Sequence, residues 1–290
     1  MITLARRATA VCAVVAALSA LAACAATEEA GAPRAPHPAP SASVASPFSP
    51  AAGPPTLAPG PGGLTPVFAH GPRTRDKAVA LTFDADMTAG QGPRADRGER
   101  FDNPRLVAAL RKLRVPATVF MTGRWAEEYP AQARAIGRNP LFEVANHSYS
   151  HYAFTDDCYG LPNLSEHRMR SDVERAYAAF RKVGVRDAMP YFRFPGGCYD
   201  RRALKALTPV GVTAVQWDVV SGDAFATDAG AVARQVLRGV RPGSVVVMHC
   251  TLSAAPTTER AVRSIVPELR RKGFRFVKVS ELIGAAARRA

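Results

Sequence analysis

Side chains able to hold a metal ion or move protons recur in this sequence at the ends of apolar runs. His147 and His151, in Asn146-His147-Ser148-Tyr149-Ser150-His151, stand four residues apart. That spacing lets two imidazoles meet one ion from a single turn. The stretch has no glutamate inside it, so a general base must come from elsewhere in the chain. Asp84 and Asp86 close the run Thr82-Phe83-Asp84-Ala85-Asp86, and two carboxylates so near each other repel without a cation. Two neutral imidazoles and a carboxylate suit Zn²⁺ or another divalent ion, with positions left for water and a carbonyl oxygen. Arg193, Asp218, Asp223 and His249 follow further apolar runs. A lone Asp there is ordinarily a helix cap and a lone His a core residue; their joint recurrence points to one site. Asp84-Ala85-Asp86 also fits the Asp-x-Asp metal motif of nucleotide-sugar transferases, a reading that leaves both histidines, Arg193 and His249 unused.

The elements that must position these groups alternate. Apolar runs at 77–83, 117–121, 141–145, 191–194, 213–217, 244–248 and 274–279 read as strands. Helical patterns follow near 104–113, 124–137, 165–183, 200–206, 228–238, 257–272 and 280–288. About seven strands, each followed by a helix, imply an α/β fold with a parallel sheet, closed into a barrel whose chemistry sits at the strand C-terminal ends.

Taken in order, Thr82 to Asp86, Asn146 to His151, Arg193-Phe194-Pro195-Gly196, Trp217 to Asp223 and Val247-Met248-His249 resemble the successive motifs of the NodB-type polysaccharide deacetylases, carbohydrate esterase family four. The resemblance runs from about Lys77 to Val279. It implies a distorted (β/α)7 barrel and metal-dependent removal of acetyl groups from sugars. It makes Asp84 the base that activates water, with Arg193 oriented against it, and His147 and His151 metal ligands. His249 becomes the general acid, tuned by Asp223, and the backbone N–H of Gly196 the oxyanion donor. Trp217 and Pro195 are expected to touch substrate. The family usually has adjacent aspartates followed by glycine, whereas Ala85 stands second here. Asp86 is therefore expected to replace the missing ligand, with Asp84 itself as ligand the alternative. Ala224, Val247 and Cys250 are further departures. Zn²⁺ is the first expectation for the metal, with Co²⁺ or Mn²⁺ as alternatives. The expected substrate is an N-acetylated glycan, with peptidoglycan preferred. An O-acetyl esterase and an inactive sugar-binding relative are the other readings.

The flanking sequence suggests where such a domain works. Arg6-Arg7 and the apolar stretch to Ala20 form an export signal, and Leu21-Ala22-Ala23-Cys24 resembles a bacterial lipobox. Residues 1–23 would then leave as a signal peptide, with Cys24 lipidated; an uncleaved anchor is the other reading. Either places the domain outside the cytoplasm, held at the membrane. Twelve of the 24 prolines fall within residues 32–72. Residues 24–72 accordingly read as a disordered tether and 73–290 as the folded domain. Beyond residue 23 the chain still carries a net charge of +12. No basic run with interleaved aromatics accompanies it, so nucleic acid is not expected and an anionic wall is. The domain is expected to be a monomer. Of the cysteines left, Cys250 should be buried near the site. Cys158 and Cys198, each in a loop after a motif, are a disulfide candidate, with three free thiols the alternative.

Overall fold

A computed structural model describes residues 53–289. The segment expected to be an export signal, with Cys24, lies outside the described residues. The strands are β1 (Val67–Phe68), β2 (Ala78–Ala85), β3 (Ala117–Met121), β4 (Phe142–Asn146), β5 (Tyr191–Phe192), β6 (Thr213–Val215), β7 (Val219–Val220), β8 (Ser244–His249) and β9 (Arg275–Phe276). The helices are α1 (Gly92–Asp96), α2 (Pro104–Lys112), α3 (Gly123–Glu128), α4 (Pro130–Gly137), α5 (Glu166–Lys182), α6 (Arg201–Leu207), α7 (Ala229–Gly239), α8 (Thr258–Arg271) and α9 (Val279–Ala287).

All strand pairings are parallel, in the order β1-β6-β5-β4-β3-β2-β8-β7, with β9 alongside the start of β2. The sheet curls into an open barrel with helices outside, the (β/α)7 type of fold. β2, β3 and β4 are buried at every position. That is why they read as mainly apolar runs and not as alternating ones. Register then levels the chemistry: Asp84 on β2 pairs with Phe120 on one side and His249 on the other. Asn146 pairs with Phe192, so His147 and Arg193 leave adjacent strands together. On the outer layer, α8 turns Ala261, Val262, Ile265, Val266 and Leu269 inward, as its amphipathic pattern requires.

Three expectations need correction. The helix expected over 124–137 is two helices, because Pro130 lacks an N–H and Tyr129 before it leaves helical geometry at φ −119°, ψ 57°. The strand expected over 274–279 spans only Arg275–Phe276, and Val279 already begins α9. The tether expected to run to residue 72 is bound to the domain over its last part. Phe68 is buried, β1 pairs with the outer edge of β6, the Tyr191 hydroxyl donates to the Pro55 carbonyl at 2.8 Å, and the Leu57 N–H donates to Thr213 Oγ1 at 3.3 Å. Extended proline-rich backbone cannot build a core of its own, yet it can supply carbonyls and a few apolar side chains to an existing sheet edge. Among the described residues no helix is long and apolar enough to cross a membrane.

Candidate active site

The barrel mouth is spanned by a buried ion pair. Arg193, fully buried after β5, donates from Nη1 to Asp84 Oδ1 at 2.6 Å and from Nε to the Val215 carbonyl at 3.2 Å. Its guanidinium lies 3.9 Å from the centre of the Phe120 ring and 5.3 Å from that of Trp217. Burial pulls the Arg193 pKa below its ordinary value, and the Asp84 carboxylate opposes that shift. The pair therefore fixes one Asp84 oxygen and leaves Oδ2 turned toward the mouth.

Oδ2 faces His147, whose Nε2 lies 3.7 Å away. His147 Nδ1 is 2.9 Å from the Arg193 carbonyl, which can only accept, so Nδ1 carries a proton and Nε2 is the ring atom turned to the site. His151 reaches the same region from a loop, not from a helix: Ser148 and His151 both take left-handed backbone, at φ 69° and 55°. The Ser148 hydroxyl accepts from the His151 N–H at 3.0 Å, and Asp172 accepts from the N–H groups of Tyr149 and Ser150. The two imidazole rings lie 4.9 Å apart, and His151 Nε2 is 3.8 Å from Asp86 Oδ2. Burial pushes the His151 pKa down to about 4, with Asp86 only partly opposing it, so the ring is neutral near pH 7. Burial works against the charged form of Asp86 too, but His151, His249, a Thr251 hydroxyl bond and His147 together hold its pKa below the usual range.

Opposite stands a His–Asp dyad. His249 Nδ1 donates to Asp223 Oδ1 at 2.8 Å, while Asp223 Oδ2 accepts from the His249 N–H at 2.8 Å and the Thr258 hydroxyl at 2.6 Å. Ser221 also donates to Asp223 at 2.9 Å. Burial disfavours the charged imidazole, but the Asp223 bond and charge, with Asp86 and Asp84 behind, raise its pKa to about 9. His249 thus holds a proton on Nε2 at neutral pH.

The turn after β5 completes the mouth. Gly196 and Gly197 sit at φ 64° and 76°. A Cβ on Gly196 would fall 2.6 Å from Cys158 Sγ, and one on Gly197 2.4 Å from the Trp217 ring. Glycine is required at both for space as well as conformation. Cys158 and Cys198 form a disulfide that underlies this turn. Its loop spans 40 residues, for which chain entropy gives a stabilisation of about 4 kcal/mol. Unfolding of a Cys158→Ser/Cys198→Ser protein in denaturant should show a loss on the order of 2–4 kcal/mol. An unchanged free energy of unfolding would mean the bond contributes nothing.

Some sequence-chosen groups lie apart from the chemistry. Pro195, expected to touch substrate, is buried at the start of the turn, where its fixed φ shapes the backbone; the exposed residue is Gly196. Asp218 is a structural brace that pairs with Arg73 at 2.7 Å and accepts from Ser244 and the Val245 N–H. Cys250 is buried beside Asp84, its N–H donating to the Asp84 carbonyl, and burial raises its thiol pKa to about 12. It is an inert thiol. Thr251, Thr258, Ser221 and Asp172 hold the reactive groups in place, and nothing in their spacing marks them in advance.

As the side chains stand, no three His, Cys, Asp or Glu among the described residues close around one point tightly enough to hold an ion. They form two His–carboxylate pairs at 3.7 and 3.8 Å, beyond hydrogen-bond range. With His151 neutral and Asp86 ionised, the donor set of Asp86, His147 and His151 fits a divalent cation.

A parallel barrel with a base-type carboxylate, a held imidazolium and a backbone N–H at one mouth is the arrangement of a hydrolase of acyl bonds. The chain matches the polysaccharide deacetylase family model over residues 71–215, half its length, and belongs to that family. Asp223 and His249 lie past that match, so their place in the site rests on the geometry. A chitooligosaccharide deacetylase of Bradyrhizobium is 27% identical over 235 residues, covering 75% of this chain and 97% of its own. Among solved structures, a peptidoglycan N-acetylglucosamine deacetylase bound to a naphthalenyl N-oxidanyl-benzamide is 26% identical with a TM-score of 0.62, covering 75% of this chain and 92% of that one. A mutant of a carbohydrate esterase family 4 pseudoenzyme with restored enzymatic activity is 25% identical with a TM-score of 0.60, covering 76% and 71%.

Proposed function

We propose that this chain is an extracytoplasmic, metal-dependent deacetylase of N-acetylated glycan, with peptidoglycan the preferred substrate. The observation that carries the reading is the placement of the Asp84–Arg193 pair and the Asp223–His249 dyad across one mouth, which supplies a base and an acid together. Asp86, His147 and His151 would hold the cation, which when bound polarises a carbonyl and acidifies water.

The remaining steps belong to the chain itself. Asp84 Oδ2 takes a proton from the water that attacks the acetamide carbonyl, while Arg193 keeps the carboxylate from rotating. The Gly196 N–H donates to the oxyanion of the tetrahedral adduct. As the carbon–nitrogen bond breaks, His249 Nε2 gives its proton to the departing amine, and acetate leaves. An amine is a poor leaving group without that proton, so an imidazole protonated near pH 7 favours amide over ester substrates. The export signal, the lipobox at Cys24 and the charge of +12 beyond residue 23 support work on an anionic wall from a lipid anchor.

The test is acetate release from N-acetylglucosamine oligomers and peptidoglycan after chelation and add-back of Zn²⁺, Co²⁺ or Mn²⁺. Release should vanish on chelation and return with metal. A metal-loaded protein that releases acetate from none of these glycans would rule the reading out.

A further inference from the structure

Among the described residues four large hydrophobic side chains stand in solvent: Tyr159, Tyr199, Val220 and Phe225. Tyr159 and Phe225 are the extremes, 87% and 82% exposed, and both take left-handed backbone, at φ 51° and 58°. A bulky residue there is an outlier that persists only when its surroundings enforce it, and such outliers gather at ligand clamps. The enforcement is visible. Tyr159 and Gly160 form the centre of a turn closed by the Leu161 N–H to the Cys158 carbonyl at 3.0 Å, and the disulfide anchors its start. Phe225 is the third residue of a turn closed by the Ala226 N–H to the Asp223 carbonyl at 3.1 Å, and its own N–H donates to the Ala254 carbonyl at 2.6 Å. Glycine or asparagine is the ordinary choice at such a position. Two aromatic rings are thus held mostly in water on strained backbone.

Their places bracket the chemistry. The Tyr159 ring reaches the Gly196 turn, its Cδ2 3.3 Å from where a Cβ on that glycine would stand. Phe225 walls a cavity of about 250 Å³ on the side of Asp86 and Thr251, lined also by Gln91, Arg94 and Glu99. Arg94 donates from two nitrogens to Glu99, which gives the same cavity a planar polar element beside its aromatic one. A pyranose has an apolar C–H face and hydroxyls around its edge, so an aromatic ring covers the first while carboxylate, guanidinium and amide meet the second. The cavity is smaller than the roughly 300 Å³ at which drug-sized pockets begin, a size suited to one ring of a chain.

We propose that the Phe225 cavity is a subsite for the sugar next to the reacting one, and that Tyr159 is the platform for a sugar on the other side. The protein would then act on interior residues of a glycan chain. The inference rests on the deacetylase reading and adds to it the residues that select for chain length.

The test uses the metal-loaded protein with two probes: N-acetylglucosamine monomer to pentamer for turnover, and a fully deacetylated glucosamine pentamer, which cannot turn over, for binding. Phe225→Gly should raise KM for the N-acetylated pentamer and Kd for the glucosamine pentamer about tenfold. It should leave kcat on the pentamer within twofold and the monomer rate unchanged. Because glycine relaxes the turn, the melting temperature should not fall, whereas loss of a structural ring would lower it. Phe225→Trp should restore binding, and Tyr159→Gly should repeat the loss of affinity. Unchanged KM and Kd in both glycine variants, or a monomer turned over as well as the pentamer, would overturn the proposal. Ring-dependent pentamer binding without acetate release would keep the subsites and sink the hydrolase reading. Acetate release without length dependence would do the reverse.

Discussion

Asp84→Asn should lower acetate release by about 10²- to 10⁴-fold, the usual contribution of a positioned general base. The substitution keeps shape, and an amide oxygen can still accept from Arg193 Nη1 at the 2.6 Å contact. What it removes is the negative charge. The other two carboxylates of the mouth cannot take over the role at once, because Asp86 is turned toward His151 and bonded to Thr251, and Asp223 is enclosed by His249, Thr258 and Ser221. A variant within tenfold of the parent would show that Asp84 is not the base.

The same substitution should also cost stability. Arg193 is fully buried, its Nη2 has no hydrogen-bond partner among the described residues, and Asp84 is the carboxylate that balances its charge. Removing one member of a buried ion pair leaves an uncompensated charge, which typically costs about 3–5 kcal/mol. Denaturant unfolding should show a loss of that order. The two effects separate by temperature: turnover measured well below the unfolding transition reports the missing base alone. If Asp84→Asn unfolds like the parent, the pair contributes to chemistry and not to the fold.

The parts of this site legible in the sequence are those set by strands buried on both faces. Ala78–Ala85, Ala117–Met121 and Phe142–Asn146 turn no side chain to solvent, so they read as mainly apolar runs, and the polar residues at the ends of β2, β4 and β8 fall at one level by register. Direction was not legible. Asp218 and Asp223 both follow the Thr213 to Trp217 run, yet one braces Arg73 and the other holds His249. Which way each points depends on β7, a two-residue strand too short to show periodicity. The binding of residues 53–72 was hidden for a related reason: proline-rich composition masks Leu57 and Phe68, which matter only where a sheet edge is waiting for them. Tyr159 and Phe225 look like ordinary loop aromatics until their backbone angles are known.

The second large effect is on pH dependence. In the parent, activity on N-acetylated substrates should fall as pH rises through about 9, where His249 loses the proton it must give to the amine. Burial by itself would push that pKa below the ordinary 6.5, and Asp223 is the largest force in the other direction. Asp223 can act so because, although burial works against its own ionised form, bonds from His249 and Thr258 hold its pKa low. Asp223→Asn should therefore move the upper limb of the rate profile down from about 9 toward the ordinary imidazole value of 6.5, with Asp86 and Asp84 still opposing burial. At pH 8 the protonated fraction, and with it the rate, should drop by up to about thirtyfold, the full value being reached if the imidazole returns to 6.5. The sign for folding follows the same shift. The folded pKa of His249 lies above its unfolded value, so the contribution to stability is complete below pH 6.5 and is lost as pH rises through about 9. In Asp223→Asn this slope between 6.5 and 9 should shrink. A structural role for the dyad would flatten the stability profile but leave the limb of kcat near 9; an acid role moves both. If the limb stays at 9 in the variant, another group protonates the leaving amine, and His249 only shapes the mouth.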